Sequence, residues 1–79
     1  MKDKLVTLVK SIVEQEDKVE VEESSEGGVV NLTIKVDPEE IGKVIGKGGK
    51  VIKSLRNVMK IAAMKQNIKV FVNLAENPQ

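Results

Sequence analysis

Four of the six glycines fall within eight residues, in the run Gly42-Lys43-Val44-Ile45-Gly46-Lys47-Gly48-Gly49. Val44-Ile45 precedes the densest part and Val51-Ile52 follows it. Glycine has no Cβ, so such a stretch turns tightly and lets another chain or a ligand come close to the backbone. The apolar spacing on both flanks is helical. A tight turn between two packed helices is therefore expected, and Lys43, Lys47 and Lys50 suit that turn to a phosphate.

The remaining segments supply what those helices pack against. Leu5, Leu8, Val9, Ile12 and Val13 follow the three-to-four spacing of one buried helical face, which predicts a helix from Lys2 to about Glu14. Lys18 to Glu23 alternates polar and apolar residues, the period of a half-buried strand. Ser24 to Gly28 reads as a turn, and Val29 to Val36 as a second strand with Val30, Leu32, Ile34 and Val36 inward. Asp37-Pro38-Glu39-Glu40 is a helix start, with Asp37 as cap, Pro38 in the first turn and two acids at the positive end of the dipole. After the glycine turn, Val51, Ile52, Leu55, Val58, Met59, Ala62 and Ala63 predict a helix from about Lys50 to Lys65. Ile68 to Leu74 is the last strand, with Ile68, Val70 and Val72 inward. Phe71 then falls on the opposite face with Lys69 and Asn73, unless the register is one residue off.

The order is α-β-β-α-α-β. A short connection makes the first two strands an antiparallel hairpin, and a helical crossover makes the third parallel to the second. The expected architecture is α+β: a three-stranded mixed sheet with three helices on one face and the other face open. Seventy-nine residues suffice for one small domain, read as 1–79 with a flexible tail over 75–79.

The net charge of +1 conceals a segregation. Glu14 to Glu26 holds seven acids against Lys18 alone, whereas Lys43 to Lys69 holds eight bases and no acid. One pole of the surface should attract polyanions. Lys50, Lys53, Arg56 and Lys60 recur at three- and four-residue steps and extend a basic track from the turn. The start of the second helix adds backbone N–H groups and dipole, so phosphates would meet three kinds of positive potential at once.

Enzyme readings fare worse. Five residues after Gly42 stands Lys47 where a P-loop needs glycine, and Val51 takes the last glycine place of a dinucleotide fingerprint. Both motifs also follow a strand, and here a helix comes first. With no His and no Cys, no nucleophile–base pair or zinc site suggests itself, and the serines have no evident partner. The chain reads as a non-enzyme without metal, cofactor or small-molecule substrate. No run approaches the roughly 18 apolar residues of a membrane span, and the charged start lacks a signal-peptide core, so a cytoplasmic location is expected.

Val44-Ile45-Gly46-Lys47-Gly48-Gly49-Lys50-Val51-Ile52 resembles the [IV]-I-G-x-x-G-x-x-I core of KH domains, whose GXXG loop clamps four nucleotides of an RNA backbone. The element order is similar to the type II KH arrangement. The length, together with Val36-Asp37-Pro38-Glu39-Glu40-Ile41-Gly42-Lys43, resembles the KhpA family of small bacterial single-domain KH proteins. That resemblance implies single-stranded RNA held by Gly46, Lys47, Gly48 and Gly49. Val44, Ile45, Val51 and Ile52 would support the groove floor, and Lys50 and Lys53 would extend the phosphate contacts. Lys43 and Arg56 would belong to the RNA-binding set, and the strand Ile68 to Asn73 would be the other wall. It also implies an RNA chaperone or post-transcriptional regulator linked to cell division and elongation, acting as a homodimer or with a KhpB/Jag-type KH protein. The alternative is a protein-interaction module that scaffolds a larger KH partner or the ribosome.

Overall fold

Gly27 and Gly28 take consecutive positive φ values of 58° and 81°, which makes a two-residue hairpin turn matched to the twist of paired strands. In this computed structural model, which describes residues 1–75, that turn joins β1 (Glu20–Glu26) to β2 (Val29–Lys35). The turn expected over Ser24–Gly28 is thus shorter. Ser24, Ser25 and Glu26 continue β1 and pair with Asn31, Val30 and Val29.

Strand β3 (Lys69–Leu74) pairs with β2 in parallel, and the sheet order is β1-β2-β3. Val21, Ile34, Leu32, Val30 and Val72 lie buried on one face. Helix α1 (Lys2–Lys10) packs toward β1 and α3 (Lys50–Met64) toward β3, while the short α2 (Ile41–Ile45) packs on α3. Leu5, Val9, Val44, Leu55 and Met59 close the core from the helical side. The architecture is the expected α+β arrangement of three helices against a three-stranded mixed sheet. The predicted register of β3 holds: Val72 is buried, and Phe71 is 53 % exposed on the open face with Lys69 and Asn73.

Helix α1 stops four residues short of the expected Glu14. The Ser11 N–H is shared between the carbonyls of Thr7 and Leu8, both at 3.2 Å, and its Oγ donates to Leu8 O at 2.6 Å. The Ile12 N–H still bonds locally, to Val9 O at 3.1 Å, but the N–H groups after Val13 are claimed from afar. Glu14 and Gln15 donate to the two carboxylate oxygens of Glu40, at 2.6 and 3.0 Å. Val13 still reaches the core, from irregular backbone.

Asp37 caps as expected, accepting the Glu39 N–H at 2.9 Å, although Pro38–Glu40 forms a 3₁₀ turn before α2. At its other end α3 closes on Asn67 in the left-handed region (φ 58°). The Ile68 N–H bonds Ala63 O and the Asn67 N–H bonds Met64 O, the two bonds of a Schellman cap, which sends the chain back into β3. The buried stripe of α3 is narrower than expected. Ile52, Leu55, Met59 and Ala63 are buried, but Val58 of the expected face is exposed; of the two methionines of α3, Met59 is fully buried and Met64 is exposed. The Ala75 N–H donates to Ile34 O at 2.9 Å, and the rest of the expected tail, 76–79, lies outside the described residues.

Candidate nucleic-acid interface

Helix α2 ends where the Gly46 N–H bonds Gly42 O at 2.8 Å and Gly46 turns to φ 78°. The turn is packed as well as bent. A Cβ on Gly46 would sit 2.8 Å from both the Cβ and the backbone nitrogen of Val51, closer than real side chains approach. Glycine is required here on two counts. Gly48 and Gly49 also take positive φ, but a Cβ on either would meet nothing within 4 Å, so they present bare backbone to the outside. The Gly49 N–H donates to Gly46 O at 3.1 Å and the Lys50 N–H to Lys47 O, which winds the turn directly into α3.

No side chain caps the start of α3, and its first turn contains no acid. Its positive dipole end is therefore uncompensated by protein charge. Among the described residues, Lys47, Lys50 and Lys53 are exposed and none has a carboxylate partner. The turn thus collects backbone, dipole and three mobile cations in one place. Ile52 is buried and Ile45 half-buried; with Val44, wholly buried, they hold the turn to the core from below.

Two predicted residues are placed differently from the rest. The Lys43 ammonium lies 3.4 Å from Glu40 and 3.7 Å from Glu14, so its charge is already matched within the fold. Arg56 donates from Nε to Val72 O at 3.0 Å, which joins α3 to the free edge of β3. Between them runs a groove lined by Arg56, Asn57 and Lys60 on one side and Val70 to Asn73 on the other. The last strand lines this groove from Val70 to Asn73, and Asn57 joins the lining beyond the residues that the sequence singled out.

Glu40 was legible only as a dipole-matching acid, yet it is 5 % exposed and gathers the Glu14 and Gln15 N–H groups. Those donors hold its carboxyl below the ordinary value against the opposing effect of burial, and Lys43 adds to the lowering. Its two N–H donors are more than twenty residues away in sequence, so no local pattern marks the role. The acids of β1 lie at the far edge of the sheet from β3. Glu22 there bonds Lys35 at 2.8 Å and raises its pKa. No cluster of acids suited to a metal ion occurs among the described residues, and no described helix is long and apolar enough to cross a membrane.

The family model described as KhpA/KhpB, KH domain, matches residues 2–74. The chain is 45 % identical to RNA-binding protein KhpA of Clostridium acetobutylicum, over 94 % of this chain and 99 % of that one. It is 42 % identical to the protein of that name in Clostridium perfringens, with the same coverage. Against the Aquifex aeolicus protein it is 34 % identical over 96 % of both chains. No solved structure matches. A KH domain is not an enzyme family, in agreement with the reading of the residues. With the motif, the fold and these similarities together, the chain belongs to the KhpA/KhpB family of KH domains.

Proposed function

We propose that the chain binds single-stranded RNA, with Gly46, Lys47, Gly48 and Gly49 on the sugar–phosphate backbone and the bases in the groove between α3 and β3. The observation that carries this reading is the turn itself. Its first glycine is locked against Val51, while the next two offer uncovered backbone beside Lys47, Lys50 and Lys53. Support comes from the relatives, named RNA-binding proteins over nearly their whole length. Ile45 and Ile52 support the turn, Lys50 and Lys53 reach phosphates, and Arg56 has donors besides Nε for the same purpose. Lys43 contributes long-range charge, since its ammonium is engaged with Glu40 and Glu14.

In the cell this activity is that of a cytoplasmic RNA chaperone or post-transcriptional regulator connected with division and elongation. The test is Lys47→Asp with Gly48→Asp. Retention of single-stranded RNA should be abolished while circular dichroism and melting stay close to wild type. Undiminished binding by a folded double variant would overturn the proposal.

A second reading is favoured by a different observation. Val58, Ile61 and Met64 lie 39 %, 58 % and 65 % exposed along α3. Such a strip suits a protein partner, a second copy or a KhpB/Jag-type KH protein, and is compatible with RNA on the glycine turn. Crosslinking the intact chain in cells, then identifying both RNA and protein, separates the two activities.

A further inference from the structure

The groove does not end at the inner face of the sheet. Its lining includes Phe71 and Asn73, whose side chains belong to the open face, so the surface continues from α3 over the free edge of β3 and onto the far side. Phe71 is the chain's single aromatic residue and is 53 % exposed there. Its cross-strand neighbour is Asn31, and beyond that Ser24, so one flank of the ring faces short polar side chains.

Among the described residues, the charges on α3 and β3 beside this ring have one sign. Arg56 and Lys60 line the groove on the near side of the edge, and Lys69 lies two residues from Phe71 on the same face of β3. The acids Glu20, Glu22, Glu23 and Glu26 are confined to the opposite edge strand. A protein hot spot usually places its anchor within a contiguous apolar patch with charge excluded from its centre. A lone ring among amides and cations fits a nucleobase between phosphates better, because any base can stack on an aromatic face while the cations hold its backbone.

We propose that Phe71 is a stacking platform for a base of single-stranded RNA that leaves the groove over the β3 edge, with Lys60 and Lys69 on the flanking phosphates. The inference rests on the RNA reading of the glycine turn and extends the site beyond the four nucleotides that a KH groove clamps. Asn31 and Asn73 lie beside the ring, where their amides reach base edges.

The experiment uses the full chain with 5′-fluorescein-labelled oligoadenylates of four and ten nucleotides at low salt. Phe71→Ala should weaken the ten-nucleotide probe by about fivefold or more, the loss expected of one stacked base, and the four-nucleotide probe by clearly less, since Phe71 only borders the groove that holds it. The chain has no Trp or Tyr, so Phe71→Trp introduces a unique fluorophore at the site. Its emission should be quenched more strongly by the longer probe than by the shorter one. Equal affinities of wild type and Phe71→Ala for the longer probe would overturn the inference. So would equal losses for both probes, which would place the ring inside the groove's own function. If Lys47→Asp with Gly48→Asp abolishes binding while Phe71→Ala is neutral, the glycine-turn reading stands and the platform falls. If wild type binds neither probe, both fall.

Discussion

Arg56 on α3 donates its Nε–H to the carbonyl of Val72 on β3 at 3.0 Å, so the two walls of the groove are pinned together by a residue that also lines it. The bond satisfies an outward-facing carbonyl of an edge strand, a group that the sheet itself leaves unpaired. It also holds the guanidinium along the groove.

Arg56→Ala should therefore lower stability as well as RNA affinity. The loss of one charge-assisted bond to backbone costs about 1–2 kcal/mol. For a chain of this size that corresponds to a drop in Tm of roughly 5–10 °C. Arg56→Lys keeps the charge but lacks the planar fork, so it should recover affinity better than it recovers Tm. Thermal melts and RNA titrations of both variants check the two effects separately.

The three glycines of the turn should rank by what surrounds them. Gly46→Ala meets Val51 as well as an unfavourable φ, and should cost about 3 kcal/mol or more, since backbone strain and overpacking each contribute 1–3 kcal/mol. Gly48→Ala and Gly49→Ala face open space and should cost only about 1–2 kcal/mol, the left-handed penalty of a residue with a Cβ. Urea midpoints compared across the three variants test this order. Equal losses would mean that the contact with Val51 carries no weight.

Glu40 makes stability depend on pH in a definite direction. Its folded pKa is depressed, chiefly by the Glu14 and Gln15 N–H groups. The stabilisation is present above the ordinary carboxylate value and is lost as pH falls through the depressed one. Wild type should hold its Tm from neutrality to about pH 5 and lose it below the ordinary carboxylate pKa near 4.5. Glu40→Gln should melt lower at pH 7 and lose less on acidification, because its amide cannot serve two backbone donors as a carboxylate does. Melting curves between pH 7 and pH 3 read both slopes.

RNA binding should weaken with salt in proportion to the phosphates engaged. Roughly three or four contacts to a single strand imply a slope of log K against log salt between about −2 and −3. Lys50→Ala and Lys53→Ala should each make the slope shallower by somewhat less than one, whereas Lys43→Ala should change it little, because its ammonium already faces Glu40 and Glu14. Titrations at several salt concentrations distinguish these cases.

Much of the candidate site was legible before the fold. The apolar steps around Gly46 to Gly49 marked a helix–turn–helix, the alternation around Phe71 placed it on the open face, and Asp37 and Pro38 marked the helix start that leads into the turn. Each depends on residues within a few positions of one another, where spacing translates directly into direction. The helix past Lys10 was over-extended by the same logic. Ile12 and Val13 continue the apolar period, but nothing near them announces that the next two N–H groups bond elsewhere.

The sequence by itself thus determined the element order, the glycine turn and the segregation of charge, because propensity, periodicity and the missing Cβ act locally. Only the tertiary structure decided that α1 ends early, that Glu40 holds the loop after it, that Lys43 is spent on acids, and that Arg56 ties α3 to β3. Each of those outcomes pairs groups from 16 to 29 residues apart, except the Lys43–Glu40 contact, which spans three. Long-range hydrogen bonds and ion pairs form only after the core has brought their partners together. They carry no period along the chain, and the packing of α1, α2 and β3 alone selects them.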